Sequence, residues 1–215
     1  MKLELVIFDM DGLMFDTERV SRKAWKIAGQ DRGYNLDDNI FMEILGINSG
    51  YIRNLFVEKF GKYFPVDEII NARNGLVVKI VEEEGLKVKE GLYELLDHLE
   101  QRGIKKAVAT STNRKRAIEL LKIANIYEKF DCIVCGDEVK KSKPDQEIFL
   151  KVAYNLNCKV ENCVVLEDSR WGIQAAKSAG MIPVMIPDLL EPDEEIFKLI
   201  YTKSNTLKEL ISIIY

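Results

Sequence analysis

The stretch Leu5-Val6-Ile7-Phe8-Asp9-Met10-Asp11-Gly12 decides the fold of this chain. Four successive apolar residues predict a strand buried on both faces, which is typical of a parallel sheet covered by helices. Two acids follow at once, and then Gly12, which lets the backbone turn sharply. Because ligands of open α/β sheets bind beyond the carboxyl ends of the strands, we expect chemistry there. The Asp-x-Asp pair can supply a carboxylate nucleophile, a metal ligand or both, or it can merely cap the turn.

The composition excludes several classes of protein. Of 215 residues, 47% are hydrophobic and 31% are charged, which is typical of a globular enzyme. The net charge of −4 argues against binding nucleic acid through bulk positive charge. No apolar stretch approaches the roughly 18 residues of a membrane span, and the first residues lack the pattern of a signal peptide. We therefore expect a cytoplasmic protein, by default a monomer, with neither nucleic acid nor membrane as a partner.

The sequence gives little support for catalysis or metal binding by histidine or cysteine. The one histidine, His98, lies in a helical pattern, which argues against a histidine general base or a histidine-rich metal site. Cys132 and Cys135 are spaced as a possible metal or redox pair, but they lie in a predicted strand, and the chain has no second CxxC pair. We interpret them as buried structural thiols.

The pattern of elements changes twice along the chain. Residues 16–86 show helical patterns and no convincing strand, whereas strands and helices alternate from about residue 91 onward. Such alternation predicts a doubly wound parallel sheet, and a helix-only block within it predicts an inserted domain. We predict an α/β core from residues 1–15 and 87–215 with an all-α insert at 16–86. The later predicted helices include Asp145–Leu156, one near Asp193–Ile200 and one near Leu207–Ile214.

Polar residues follow four of the predicted strands. Each group alone has an ordinary interpretation as a helix cap or as a surface charge, but all four lie at strand-to-helix junctions. Parallel strands bring such junctions to one edge of the sheet. The set supplies acids for a divalent cation, donors for a phosphate and a lysine to offset negative charge, which is typical of phosphoryl transfer. The four groups are Asp9-Met10-Asp11-Gly12, Thr110-Ser111-Thr112-Asn113, Lys143-Pro144-Asp145 and Glu167-Asp168-Ser169.

In this order the four groups resemble the motifs of the haloacid dehalogenase superfamily. The longer run from Glu167 to Met181 and the run from Phe8 to Glu18 resemble its subgroup of β-phosphoglucomutase and sugar-phosphate phosphatases. The resemblance covers nearly the whole chain, although the helical insert matches loosely. It implies a Rossmann-like core with a helical cap at residues 16–86. One departure is Gln146, which stands where the family usually has a second proline.

The resemblance implies a mechanism for a small phosphomonoester substrate. Asp9 would attack phosphorus and form an aspartyl-phosphate, and Asp11 would act as general acid and then as general base. Ser111, the Thr112 amide and Lys143 would hold the phosphoryl oxygens. Mg²⁺ would be the cofactor, bound by Asp9, the Asp11 carbonyl and Asp168, with Glu167 as a further ligand or as an acceptor for the bound waters.

The resemblance also implies that the cap closes over the site and carries residues that select the substrate. Glu18 and Arg73 are our candidates, although Arg73 is equally well interpreted as an exposed helix charge. β-Phosphoglucomutase has a histidine and an arginine in its cap, and by spacing Ser21 and Ser49 stand at those positions.

This difference favours a Mg-dependent phosphatase that hydrolyses a phosphorylated sugar or a related metabolite over a phosphosugar mutase. The other alternative is a catalytically idle binding or regulatory module, which would not require four intact motifs.

Overall fold

Strand β1 (Leu5–Phe8) lies in the middle of the sheet of this computed structural model, which describes residues 2–45 and 49–213. All four of its residues are fully buried, as expected for an uninterrupted apolar run covered on both faces. Within the described residues the sheet has six parallel strands in the order β3-β2-β1-β4-β5-β6. The other strands are β2 (Lys105–Thr110), β3 (Cys132–Cys135), β4 (Cys163–Glu167), β5 (Ile182–Met185) and β6 (Thr202–Lys203).

The register of the central strands aligns their carboxyl ends. Phe8, the last residue of β1, pairs with Val108 in β2 and with Leu166 in β4. The polar residues that follow these positions therefore come to the same edge of the sheet. This arrangement confirms the predicted doubly wound parallel sheet.

Two compact units divide the chain. One unit contains the sheet and comprises the residues up to Asp16 together with Val88 onward, and the other comprises Thr17–Lys87. The second unit is helical and contains α1 (Thr17–Gln30), α2 (Asp38–Ile44), α3 (Ser49–Phe60) and α4 (Val66–Glu84). Its core is aromatic, with Trp25, Phe56 and Phe64 in edge-to-face contacts.

The helices of the sheet-containing unit cover the strands. Side chains of α7 and α8, such as Phe149 and Ala176, pack with β-strand residues such as Ile7 and Val165 in one buried cluster. Within the described residues no helix is both long and apolar enough to cross a membrane. The helices of this unit are α5 (Leu92–Gln101), α6 (Arg114–Ile123), α7 (Glu147–Leu156), α8 (Arg170–Ser178) and α9 (Glu194–Phe197).

Three predicted helices differ from those observed. Helix α7 begins at Glu147, two residues after the predicted start at Asp145. The helix predicted near Asp193–Ile200 is only the short α9, which is followed by the unpredicted strand β6. The last predicted helix is a 3₁₀ turn at Glu209–Ser212, and its predicted end at Ile214 lies outside the described residues.

Candidate active site

Asp9 is held at the end of β1 by the sheet itself. Its backbone N–H continues the parallel ladder and donates to the Leu166 carbonyl at 3.0 Å. The chain then turns back, with the Gly12 N–H bonded to the Phe15 carbonyl at 2.9 Å and a Gly12 φ of 82°. An L side chain is strained at this φ, so glycine suits the position. The turn leaves the Asp9 side chain buried at the sheet edge, with a residue exposure of 7%.

Lys143 reaches the same point from the loop before α7. Its Nζ donates to Asp9 Oδ1 at 2.5 Å, to Glu167 Oε1 at 2.6 Å and to the Ala109 carbonyl at 3.0 Å. The lysine is 8% exposed. A buried ammonium with three acceptors is fully satisfied, and it joins Asp9 after β1 and Ala109 within β2 to the last residue of β4.

The two acids at the end of β4, Glu167 and Asp168, lie in different environments. Glu167 is fully buried, whereas Asp168 is half-buried. Glu167 Oε2 accepts from the Ser169 N–H at 3.1 Å and from the Ser169 hydroxyl at 2.9 Å. Its other oxygen accepts from Lys143, so both Glu167 oxygens are already engaged within the protein.

Two threonine hydroxyls hold the second acid of the Asp-x-Asp pair. Thr112 Oγ1 donates to Asp11 Oδ2 at 2.7 Å, and Thr110 Oγ1 lies 3.4 Å from the same oxygen. The Thr112 N–H donates to Thr110 Oγ1 at 3.1 Å. These bonds fix the orientation of the Asp11 carboxylate toward the end of β2.

Ser111 is placed differently from the sequence-based expectation. Its side chain is exposed, whereas Thr110, one residue earlier, is 1% exposed and bonds to Asp11. The reason is the alternation of side chains along a strand, which turns adjacent residues to opposite sides. Because Thr110 is the last residue of β2, its hydroxyl and not that of Ser111 faces the acids. The register of β2 against β1 would have identified Thr110 as the residue whose hydroxyl faces the acids. The spacing of the sequence motif alone does not reveal that register.

Burial dominates the electrostatics of this cluster. Burial raises the pKa of Asp9 from 3.8 to about 8, while the Lys143 charge acts in the opposite direction and the Glu167 charge adds to the rise. Burial lowers the pKa of Lys143, but Asp9 and Glu167 raise it more, so the net pKa lies above its usual range. Lys143 is therefore a permanent cation beside Asp9, whose charged form burial disfavours.

The acids of the cluster are arranged as hard cation ligands would be. Asp9, Glu167 and Asp168 each offer an oxygen, and these atoms lie within 4.8 Å of one another. The space beside them depends on Gly12, because a Cβ on that residue would lie 2.1 Å from Asp168 Oδ2. An all-oxygen donor set fits Mg²⁺, whereas the thiol and imidazole ligands that zinc prefers do not occur among these residues.

The candidate residues of the helical unit are described within that unit alone. Glu18 and Arg73 are both half-buried. Arg73 Nη2 donates to the buried hydroxyl of Ser21, and the guanidinium lies 5.6 Å from the ring centroid of Trp25. Ser21, which stands where the mutase has its histidine, is thus part of the helix packing. The side chain of Ser49 lies outside the described part of the chain.

The two cysteines of the CxxC spacing belong to β3. Cys135 is fully buried, and burial raises the pKa of its thiol to about 12. Cys132 is half-buried and accepts a weak bond from the Asn155 amide at 3.6 Å. A thiol with so high a pKa is a poor nucleophile and a poor metal ligand at neutral pH.

The chain is similar to known proteins over most of its length. Residues 6–186 match the family model described as haloacid dehalogenase-like hydrolase. A phosphorylated carbohydrates phosphatase from Thermotoga maritima is 35% identical over 185 residues, which are 83% of this chain and 82% of that protein.

Two solved structures are similar in fold as well as in sequence. CbbY from Rhodobacter sphaeroides in complex with phosphate has a TM-score of 0.83 and 28% identity, with 97% of this chain and 96% of that chain covered. β-Phosphoglucomutase from Clostridium difficile has a TM-score of 0.82 and 26% identity, with 97% and 93% covered. The resemblance predicted from the four strand-end motifs is therefore confirmed, and the chain is an enzyme of the haloacid dehalogenase-like hydrolase family.

Proposed function

We propose that this enzyme is a Mg²⁺-dependent phosphatase that hydrolyses a small phosphomonoester through an aspartyl-phosphate. The observation that carries the proposal is the buried carboxylate of Asp9, 2.5 Å from the Lys143 ammonium at the carboxyl edge of the sheet. Burying a charge pair is costly, and replacing such pairs by apolar residues is often neutral or stabilising. A pair retained at a strand end is better explained by chemistry than by stability.

Asp9 is the proposed nucleophile. One of its carboxylate oxygens forms a bond to phosphorus while the bond from phosphorus to the leaving alcohol breaks. Asp11 gives its proton to that alcohol. In the second step a water attacks the phosphorus of the aspartyl-phosphate and yields its proton to Asp11, which restores the Asp9 carboxylate and releases inorganic phosphate.

The hydrogen bonds to Asp11 support its role as general acid and base. Thr112 and Thr110 both approach the same oxygen, Asp11 Oδ2, and these contacts restrain the carboxyl group. A proton-transfer group must be held within reach of the reacting oxygen, so a restrained carboxyl suits this task.

Lys143 reduces the repulsion between the nucleophile and the substrate. Both Asp9 and the phosphoryl group carry negative charge, and a fixed cation between Asp9 and Glu167 lowers the energy of their approach. We also propose that the hydroxyl of Thr110 contacts a phosphoryl oxygen together with the Thr112 amide. Ser111 remains a candidate for this contact, although its side chain is exposed in this structure.

Asp9, the Asp11 carbonyl and Asp168 are the proposed Mg²⁺ ligands. When bound there, Mg²⁺ would supply positive charge that screens the phosphoryl oxygens and favours the ionised form of Asp9. Glu167 is better suited to orient neighbours than to bind metal directly, because Lys143 and Ser169 already occupy its two oxygens. The fully buried Glu167 would thus determine where Lys143 and the turn at Asp168 lie.

The relatives, rather than the geometry of the site, support the proposed substrate class. A phosphorylated carbohydrates phosphatase is the 35% identical relative, and a mutant of CbbY was crystallised with xylulose-(1,5)bisphosphate. We infer a phosphorylated sugar or a related metabolite for this chain, with Glu18 and Arg73 as candidate contacts to its sugar portion. We also propose that the enzyme is a monomer and is cytoplasmic.

Mutase activity is the second candidate because a β-phosphoglucomutase has the same fold at a TM-score of 0.82. We favour hydrolysis because Ser21, at the position of the mutase histidine, has a hydroxyl that cannot titrate near neutral pH as imidazole does.

The test of function is a pair of assays. We expect release of phosphate from p-nitrophenyl phosphate and from a panel of sugar phosphates in Mg²⁺, and loss of that release in EDTA. With β-glucose 1-phosphate, free phosphate should appear without accumulation of glucose 6-phosphate. Accumulation of glucose 6-phosphate without free phosphate would identify a mutase. No metal-dependent turnover on any compound would indicate an idle binding module.

A further inference from the structure

Lys143 lies on a segment without regular secondary structure. Residues 139–146, here called the lysine loop, connect the 3₁₀ turn after β3 to helix α7. Loops are the more mobile parts of a fold, yet the Lys143 ammonium must stay within hydrogen-bond distance of Asp9. Something outside the loop must therefore fix its path.

We propose that Glu147 is the positioning residue for Lys143, because its carboxylate holds two consecutive backbone amides of the lysine loop. Oε1 accepts from the Lys140 N–H and Oε2 from the Lys141 N–H, each at 2.9 Å. These amides precede Lys143 by three and two residues. The inference rests on the proposed function of the site and adds to it a residue that does not touch substrate.

The two bonds form a bidentate clamp from a helix to a loop. Glu147 is the first residue of α7, and the next two residues, Ile148 and Phe149, are buried in the core. The Phe149 ring also lies 5.1 Å from Lys143 Nζ. The clamp thus transmits the position of a rigidly packed helix to the loop, as a supporting shell around a site must do.

The loop on the other side of Lys143 is tied to the same helix start. The Glu147 N–H donates to Asp145 Oδ1 at 2.9 Å, and the Asp145 N–H donates to the Ser142 carbonyl at 3.0 Å. Lys143 therefore lies between two anchored segments. One turn further along α7, Lys151 Nζ donates to the Glu138 carbonyl at 2.6 Å, just before the loop begins.

An ordinary role for Glu147 would be that of an acid in the first turn of a helix, favoured by the helix dipole. That role requires no contact with the lysine loop. Here both oxygens are used on adjacent loop amides, and these two bonds lower the pKa of Glu147. The carboxylate is thus charged at neutral pH and engaged with the backbone, which excludes it as a group that attacks or protonates the substrate.

The chain offers a matched control in Glu209. Its Oε2 accepts from the Asn205 N–H at 2.8 Å and from the Ser204 hydroxyl at 2.9 Å, and these bonds likewise lower its pKa. Glu209 holds a loop near the end of the chain, in a segment that supplies none of the proposed site residues. Comparing the same change at the two acids separates positioning of Lys143 from general loss of loop stability.

The experiment uses Glu147→Ala, Glu147→Gln, Glu147→Asp and Glu209→Ala in the full chain. For Glu147→Ala we expect kcat with p-nitrophenyl phosphate to fall between about 10-fold and about 100-fold, with a smaller change in KM, because a displaced Lys143 stabilises the transition state less well. Glu147→Asp should recover part of the lost kcat. Glu147→Gln keeps only one acceptor oxygen, so its kcat should lie between those of Glu147→Ala and Glu147→Asp. Glu209→Ala should leave kcat unchanged.

Two further measurements do not depend on activity. Hydrogen exchange should become faster at the Lys140 and Lys141 amides in Glu147→Ala, and at the Asn205 amide in Glu209→Ala. Acetic anhydride should acetylate Lys143 faster in Glu147→Ala than in the chain without a substitution, as followed by mass spectrometry.

Unchanged acetylation of Lys143 in Glu147→Ala would overturn the positioning role, and so would equal losses of kcat in the two alanine variants. If the unmodified chain hydrolyses no phosphomonoester, the proposed function fails. The acetylation result then still decides whether Glu147 positions Lys143. Glu147→Gln preserves the side-chain volume and serves for every measurement if Glu147→Ala does not fold.

Discussion

The sheet-containing unit has surface ion pairs, such as Lys203 with Glu191, but it also contains a buried cluster of charged side chains. In the sheet-containing unit, the side chains of Lys143, Asp9 and Glu167 are 6%, 10% and 0% exposed. In the helical unit, a typical ion pair lies at the surface: in the pair of Arg53 with Asp67 the side chains are 47% and 67% exposed. The same chemical groups are thus buried at one place and solvated at another.

This difference shows what each kind of pair does. Exposed pairs gain little because water screens them, whereas a buried pair loses the hydration of both ions. The helical unit can lose a surface pair and keep its fold. The buried cluster is less tolerant, since removal of Lys143 leaves Asp9 and Glu167 without compensation. Substitutions can test this contrast, and the largest effect is expected at Asp9.

Asp9→Asn should reduce turnover at least about 10⁴-fold, because the amide cannot act as the nucleophile. Phosphate release in Mg²⁺ measures this change. The variant should stay folded, since the neutral amide avoids the cost of burying a charge. Retained turnover would remove Asp9 from the nucleophilic role.

The same variant isolates a pH effect in EDTA. The folded state raises the pKa of Asp9 from 3.8 to about 8, so it holds the Asp9 proton more tightly than the unfolded chain does. The resulting stabilisation is complete below the unfolded pKa of about 4 and is lost as pH rises to about 8. Urea unfolding should show this loss in the unmodified chain, and the loss should be smaller in Asp9→Asn. Parallel pH profiles of the two proteins would contradict the assignment.

Lys143→Met should reduce kcat at least about 10³-fold and should destabilise the metal-free protein by about 3–5 kcal/mol, because Asp9 and Glu167 then share a buried site without a cation. Phosphate release and urea unfolding measure the two effects. Lys141→Met is the control, since the Lys141 side chain is 74% exposed and only its backbone joins the clamp. Similar losses in both variants would show that the burial of Lys143 is not the cause.

Gly172→Ala should displace Glu167, because a Cβ on Gly172 would lie 1.8 Å from Glu167 Cδ. The buried carboxylate cannot move without weakening its bonds to Lys143 and Ser169. We expect kcat to fall by about 10-fold to about 100-fold and stability to fall by about 1–3 kcal/mol. Gly75→Ala in helix α4 is the matched control, because its Cβ would meet nothing within 4 Å. That change should be neutral or stabilising.

Arg53→Ala should have the smallest effect. Loss of its surface pair with Asp67 should change the free energy of unfolding by less than about 1 kcal/mol, and 0.5 M NaCl should shrink even that difference by screening. Thermal unfolding at low and high salt measures it. A loss as large as that of Lys143→Met would contradict the contrast between the two units.

Most of the sheet and the acids at its edge could be predicted from the sequence. The apolar runs that end in Asp9-Met10-Asp11 and in Glu167-Asp168 predict buried strands with acids at their carboxyl ends, and such a pattern has few alternative interpretations. The role of Thr110 could not be predicted, because side chains alternate in direction along a strand. If β2 ended one residue later, the hydroxyl of Ser111 and not that of Thr110 would face the acids.

The end of the chain was harder to predict for a different reason. The segments near residues 193–200 and 207–214 have apolar residues at helical spacing, but short segments are held by packing rather than by their own helix propensity. Here the first forms the short α9 and the second a 3₁₀ turn, and the two-residue strand β6 lies between them. Likewise, the clamp of Glu147 on the lysine loop depends on tertiary geometry and has no local motif.

The strand order also affects when the active site can form during protein synthesis. Asp9 and the cation that contacts it, Lys143, are 134 positions apart in the sequence. Strand β4, which is one of the two neighbours of β1 in the sheet, ends at Glu167. Pairings this distant in the chain are formed late and slowly, so a nascent polypeptide carries the Asp-x-Asp turn long before its partners leave the ribosome. Catalytic competence therefore requires every segment from β1 to β4, and fragments ending before β4 should neither bind Mg²⁺ nor hydrolyse phosphate esters.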